Sequence, residues 1–238
     1  MAYIDENNKY TDPLAYDERG NSNLLESYIA SLWQPFLRKK IAENSENKII
    51  ADLGCGTCEY TQYAKKAKHI YAVDISKEML DFGKNKMKDS KNISFIQGSS
   101  LETPIKDKEI DLVISFGVLE YVSPDLQIKE IERILKTGGK AFFLIPNKYN
   151  LHHLALACYR KIFSKEGKKE LTIFQLRKIF KKYRFKITSL SSFGMIFYTR
   201  GRIYKYAIWA WKFLDFIYSP FQKIFPLGCN IYIEAQKI

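Results

Sequence analysis

Apolar positions along the chain fall into short runs separated by amphipathic stretches. KIIADL (48–53), HIYAVDI (69–75), ISFIQG (93–98), IDLVISF (110–116) and KAFFLIP (140–146) show little strict alternation. That pattern suits strands buried on both faces of a parallel sheet. The segments between them predict a helix from the first strand through about residue 67, a Ser76-capped helix over SKEMLDFGKNKM, and one near 124–136 closed by Gly138-Gly139. Upstream, NSNLLESYIASLWQPFLRKKI (22–42) predicts a helix in which Pro35 permits a kink. Downstream, 147–170 predict a helical excursion over the sheet. Thr172-Ile173-Phe174-Gln175 has the form of a capping box opening a helix to about Tyr183. FKITSLSSF (185–193) and NIYIEAQKI (230–238) predict two last strands, with a long insertion, 194–229, between them. Strand-helix alternation with right-handed crossovers implies a doubly wound α/β domain.

Composition narrows this picture. With 238 residues, 46% of them hydrophobic, the chain can bury one substantial core. Its start, MAYIDENNKY, is polar and acidic without a basic-then-apolar signal pattern, so a cytoplasmic protein is expected. Four scattered cysteines (55, 58, 158, 229) make no disulfide scaffold and fit a reducing compartment. No stretch of 18 residues is free of charge, so no conventional spanning helix is indicated. The net charge of +12 is unevenly placed. Residues 1–147 carry 20 Lys and Arg against 22 Asp and Glu, whereas residues 148–238 carry 18 against 4 and hold 20 of the 35 aromatics. The chain is polarised into a near-neutral front and a basic, aromatic back.

The loop after the first strand, ADLGCGTCEY, carries two readings. Cys55-Gly56-Thr57-Cys58 is a C-x-x-C, as in redox dithiols or half of a zinc site. A structural zinc needs four suitably spaced ligands, and Cys158 and Cys229 are isolated, so no metal is expected. The second reading uses the backbone. Gly54 and Gly56 let amides approach a ligand closely, at the sheet edge where the strands' carboxyl ends gather. A following helix would add free N–H groups and a favourable field. Asp74 ends the second strand, where a carboxylate can accept from both hydroxyls of a ribose. A nicotinamide-dinucleotide fingerprint would need glycine at 59, where Glu59 stands.

In this order along the chain, Asp52-Leu53-Gly54-Cys55-Gly56, AVDIS (72–76), FIQGSSLETPI (95–105), DLVISFGVLEYV (111–122) and LKTGGKAFFLIPN (135–147) resemble the class I S-adenosylmethionine-dependent methyltransferases. The likeness covers roughly 45–190. It implies a Rossmann-like, seven-stranded, mostly parallel sheet with an antiparallel last strand. It also implies a division into an N-terminal helical segment, 1–44, covering the cofactor site, and a methyltransferase domain, 45–238, with the insertion 194–229. The resemblance assigns S-adenosylmethionine as cofactor. Asp52, Gly54, Cys55 and Gly56 would hold its methionine part, Asp74 and Ile75 the ribose region, and Ser99 and Ser100 the adenine, with Phe116 beside the reacting groups. Two positions depart from the family pattern: Cys58 stands where a third glycine is common, and Ser99 where many members carry Asp.

Methyl transfer from a sulfonium is an in-line displacement that needs orientation first, and a base only when the nucleophile must lose a proton. His152 and His153, following the fifth strand, are candidate bases for an O-methylation, neither preferred; the plainer reading is of solvated positions on a helix. Glu120 and Tyr121 follow the fourth strand as polar groups of the same edge, and His69 belongs to the opposite edge. The substrate must be sought outside the family-like part. With the sixth strand parallel, as the resemblance implies, the insertion leaves from the ligand edge. In YTRGRIYKYAIWAWKFLDFIYSPFQKIF (198–225), read as a helix, Lys205, Lys212, Asp215, Ser219 and Lys223 form one stripe about 100° wide, and nearly all else is apolar or aromatic. Pro220 should end or kink it. Arg200, Arg202, Lys161, Lys165, Lys168 and Lys169 add charge nearby. This suits a peripheral protein on the inner membrane face acting on a small-molecule or lipid-linked acceptor. A lid is an equally serviceable role for the insertion, with a dimer face as the lesser alternative. The basic back also admits an RNA substrate, but the insertion is too apolar for a phosphate track and the Asn/Asp-Pro-Pro-aromatic motif of base-amino methylating relatives is absent, which argues against nucleic acid. A non-catalytic cofactor-binding module is the reading from a different class. Oligomeric state is not legible.

Overall fold

The computed structural model describes residues 13–17, 24–147, 172–194, 204–223 and 227–238. Seven strands form one sheet: β1 (Ile49–Leu53), β2 (His69–Asp74), β3 (Ile93–Gln97), β4 (Ile110–Phe116), β5 (Leu135–Pro146), β6 (Phe185–Phe193) and β7 (Asn230–Lys237). Their order is β3-β2-β1-β4-β5-β7-β6. The pairs from β3 through β5 are parallel, while β7 is antiparallel to both β5 and β6. Only the last strand runs against the others, as expected of a doubly wound sheet of this type.

The helices are α1 (Pro13–Asp17), α2 (Leu24–Asn44), α3 (Lys77–Lys86), α4 (Pro124–Ile134), α5 (Ile173–Lys182) and α6 (Tyr204–Tyr218). Alternate strand positions serve opposite faces, which is why the strand sequences are apolar throughout. Ala51, Val113, Phe143 and Ile233 share one apolar layer with Ile128 and Ile131 of α4 and Leu176 and Phe180 of α5. Ile50, Leu112, Phe142 and Tyr232 face the other way, against Leu37 and Ile41 of α2. On that same side Ala72 packs with Leu80 of α3 and with Cys55 and Cys58.

Local chemistry sets the helix starts. Ser76 Oγ accepts from Met79 N at 3.2 Å. Thr172 and Gln175 make the reciprocal capping box that the sequence indicated. Pro35 lies inside α2, and Pro220 falls in a 3-10 turn, Ser219–Phe221, that ends α6.

One predicted helix is absent. Between β1 and β2 the chain makes turns and a single 3-10 turn, Thr61–Tyr63, where a helix through residue 67 was expected. Cys58 takes a φ of 59°, which interrupts a right-handed helix, and Thr57, Tyr60, Thr61 and Tyr63 all have modest helix propensity. Thr61 also gives its hydroxyl to Asp52 at 2.6 Å, tying this segment back to β1. No α-helix N-terminus therefore lends its field to this loop.

The insertion 194–229 leaves and rejoins at the carboxyl edge of the parallel strands. Cys229 N donates to Gly194 O at 2.6 Å, and Asn147 N donates to Cys229 O at 2.8 Å, joining the ends of β5, β6 and β7. Gly228 is required there, since a Cβ would stand 2.5 Å from Phe193 N. The predicted excursion 147–170 lies, apart from Asn147, outside the described residues, as do His152, His153, Arg200, Arg202 and the lysines at 161, 165, 168 and 169.

Candidate cofactor-binding site

Because β1, β2, β3 and β4 run parallel, the ends carrying Gly54–Cys58, Asp74, Ser99 and Phe116 open on one edge of the sheet. Gly54 turns the chain out of β1 with a φ of 78°, and its N–H donates to Val73 O at 2.7 Å. A Cβ here would meet Val118 Cγ2 at 2.4 Å, so glycine is required by both conformation and space. Gly56, at a φ of 51°, is more open: a Cβ would meet only the ring of Tyr16, at 3.7 Å.

Asp74 organises this turn. Its Oδ2 accepts from Gly56 N at 2.8 Å and its Oδ1 from Ser76 N at 2.9 Å. Each carboxylate oxygen still has a lone pair to offer a ligand hydroxyl. Burial raises its pKa, against the lowering effect of those backbone donors. Asp52 lies deeper, 4% exposed, accepting the Thr61 hydroxyl. Burial, helped by the negative charge of Asp74 and opposed by the Thr61 hydrogen bond, pushes its carboxyl up to about 7. Among the described residues no basic side chain offsets either carboxylate. Two acids flanking a glycine turn are electrostatically suited to a positively charged ligand.

The cysteines contribute little sulfur chemistry. Cys55 and Cys58 are buried free thiols, and contact with Cys58 together with burial raises the Cys55 thiol well above its ordinary range. A thiol held protonated is a poor nucleophile. Among the described residues no group of three or more His, Cys, Asp or Glu is placed to hold a metal.

The remaining predicted residues border the same edge. Ile75 is exposed next to Asp74. Ser99 Oγ accepts from Leu101 N at 3.1 Å, and Ser100 is buried beside it. Phe116, half-buried at the end of β4, meets the Tyr60 ring edge-on at 5.2 Å. Glu120 and Tyr121 lie in the turn after β4, where Tyr121 N donates to Val118 O. His69 begins β2 at the opposite edge, with Nε2 3.1 Å from Ser94 Oγ.

Residues 51–143 match the methyltransferase domain family. This stretch of the chain resembles a methyltransferase domain. Over 129 residues it is 33% identical to a demethylmenaquinone methyltransferase of Staphylococcus saprophyticus, an alignment covering 52% of this chain and 54% of that protein. The chain thus spans about half the length of the curated relatives it matches. In fold it resembles a putative S-adenosylmethionine-dependent methyltransferase from Listeria monocytogenes, with a TM-score of 0.64, 19% identity, and coverage of 89% and 98% of the two chains. It also resembles the magnesium protoporphyrin IX methyltransferase of Synechocystis PCC 6803, with a TM-score of 0.66, 16% identity, and coverage of 91% and 88%.

Several residues of this edge were not legible beforehand. Tyr16, on the short helix α1, stands over Gly56. The dipeptide Asp12-Pro13, with proline opening a helix, was the available signal for that element. Thr61, the partner of Asp52, had no signal at all. Nor did Val118, which fills the space a side chain on Gly54 would need.

Proposed function

We propose that this protein transfers a methyl group from S-adenosylmethionine to an apolar small-molecule acceptor. The observation that carries the reading is the pair of carboxylates, Asp52 and Asp74, flanking a glycine turn without a basic partner among the described residues. When bound, the cofactor supplies a methyl carbon on a positively charged sulfur, open to in-line displacement. The chain's part is to bind and orient. The Gly54–Cys58 backbone wraps the amino-acid end, with Asp52 beneath it. Asp74 takes the ribose hydroxyls while Gly56 N and Ser76 N hold its carboxylate in place. Ile75 offers an apolar face to the base, and Ser99 and Ser100 offer hydroxyls. Phe116 borders the reacting groups, and Tyr16 covers the loop at Gly56.

The acceptor is the finer part of the proposal. Relatedness to demethylmenaquinone methyltransferases supports a ring carried on an apolar tail. We assign the attacking atom to oxygen, with His152 or His153 removing its proton, and the site of action to the cytoplasmic face of the membrane. Incubating the chain with labelled S-adenosylmethionine and separated membrane, soluble and RNA fractions tests this. Label should enter lipid-extractable small molecules as a base-stable ether. Label in RNA, or none in any fraction, would overturn the reading.

A further inference from the structure

Helix α6 is mounted with Asp215 and Tyr218 inward. Asp215, 8% exposed, accepts the Tyr28 hydroxyl of α2 at 2.7 Å. Tyr218, one turn on, is buried, and its oxygen accepts from Leu227 N and Gly228 N. These contacts fix the rotation of the helix about its axis. The consequence is an exposed face carrying Trp209 at 72%, Phe213 at 59%, Phe216 at 75% and Ile217. At α-helical spacing these four fall within an arc of about 100°. Phe221, on the following turn, is exposed as well. A contiguous aromatic face turned outward marks an interaction surface.

We propose that this face of α6 inserts into the headgroup layer of an anionic lipid bilayer. Charge selects this occupant over a second copy of the chain. Lys212 and Lys223 are exposed around the face and the acid of the helix, Asp215, is buried beneath it, so a symmetric pair through α6 would set the same cations against one another, whereas an anionic bilayer neutralises them. Lys212, at the border of the aromatic arc with its ammonium 5.7 Å from the Tyr28 ring centroid, and Lys223, in the turn after α6, are exposed side chains long enough to swing to lipid phosphates while the rings sink below. Among the described residues no helix is long and apolar enough to cross a membrane, so the contact is one of insertion from one side. The insertion that bears α6 joins the sheet at the edge carrying the glycine turn. Docking would therefore present the site to acceptors dissolved in the bilayer. That last consequence rests on the proposed methyl transfer; the lipid contact does not.

Flotation of the full chain with phosphatidylcholine vesicles, with and without phosphatidylglycerol, tests the surface. The chain should rise with the anionic vesicles, not with phosphatidylcholine alone, and less so as salt increases. Phe213→Ser with Phe216→Ser should lower binding about tenfold or more by removing inserted area. Lys212→Glu with Lys223→Glu should lower it by roughly the same factor through charge. All four side chains are exposed, and circular dichroism and S-adenosylmethionine affinity serve as controls for folding. Absence of flotation with anionic vesicles overturns the proposal, as does unchanged flotation in both variants. A chain dimer that the phenylalanine variant dissociates would assign the face to a second copy and overturn it too. Vesicle binding by a chain that fails to bind S-adenosylmethionine would support the surface and sink the methyl-transfer reading alone.

Discussion

Asp52 shows how one buried carboxylate can couple folding to ligand binding. Its pKa rises from 3.8 to about 7 because burial penalises the charged form more than Thr61 relieves it. A raised folded-state pKa contributes stability that is fully present below the unfolded value and lost as pH climbs through the folded one. From this residue alone, the ligand-free chain should lose stability between pH 3.8 and about 7. Thermal unfolding across that window checks it, and Asp52→Asn should flatten this component of the slope. A cationic ligand favours the ionised form, so S-adenosylmethionine should bind more tightly above about 7 and release protons on binding below it. A pH slope identical in the wild type and Asp52→Asn would remove Asp52 from the account.

At the scale of elements, the rotation of α6 depends on its docking to α2. Tyr28 donates to Asp215 at 2.7 Å, and burial together with that acid pushes the Tyr28 phenol well above its ordinary value. Replacing Tyr28 with Phe should destabilise the docked helix by about 1–3 kcal/mol, because the deletion removes a donor from a buried acid. Increased amide exchange along α6, with the sheet unchanged, is the expected readout. The strands and the cap residues Ser76 and Thr172 were legible in sequence because apolar runs and cap chemistry are local properties. The helix expected after β1 was misread because a single positive φ at Cys58 and the Thr61–Asp52 hydrogen bond override a local pattern. The lysines, Asp215 and Ser219 were legible as one polar stripe, but that Asp215 alone of the described members turns to the body was not, since that depends on Tyr28, 187 residues away.

The whole molecule combines a familiar sheet with an unusual back. Its parallel half gathers Gly54, Gly56, Asp74, Ser99 and Phe116 at one edge, and its C-terminal insertion leaves from that same edge. The edge was legible because parallel strands bring their carboxyl ends together whatever the loops contain. Tyr16 over Gly56 was not, because it arrives from a separate short helix. The account's central claim is that the turn after β1 and the carboxylate of Asp74 bind the cofactor. Titration calorimetry of S-adenosylmethionine and S-adenosylhomocysteine into the folded chain tests it most directly. Both should bind saturably at one site, and Asp74→Ala should weaken that binding by roughly 10- to 100-fold, the loss of charge-assisted hydrogen bonds to a ribose. No binding by an intact fold, or equal affinity in Asp74→Ala, would contradict it.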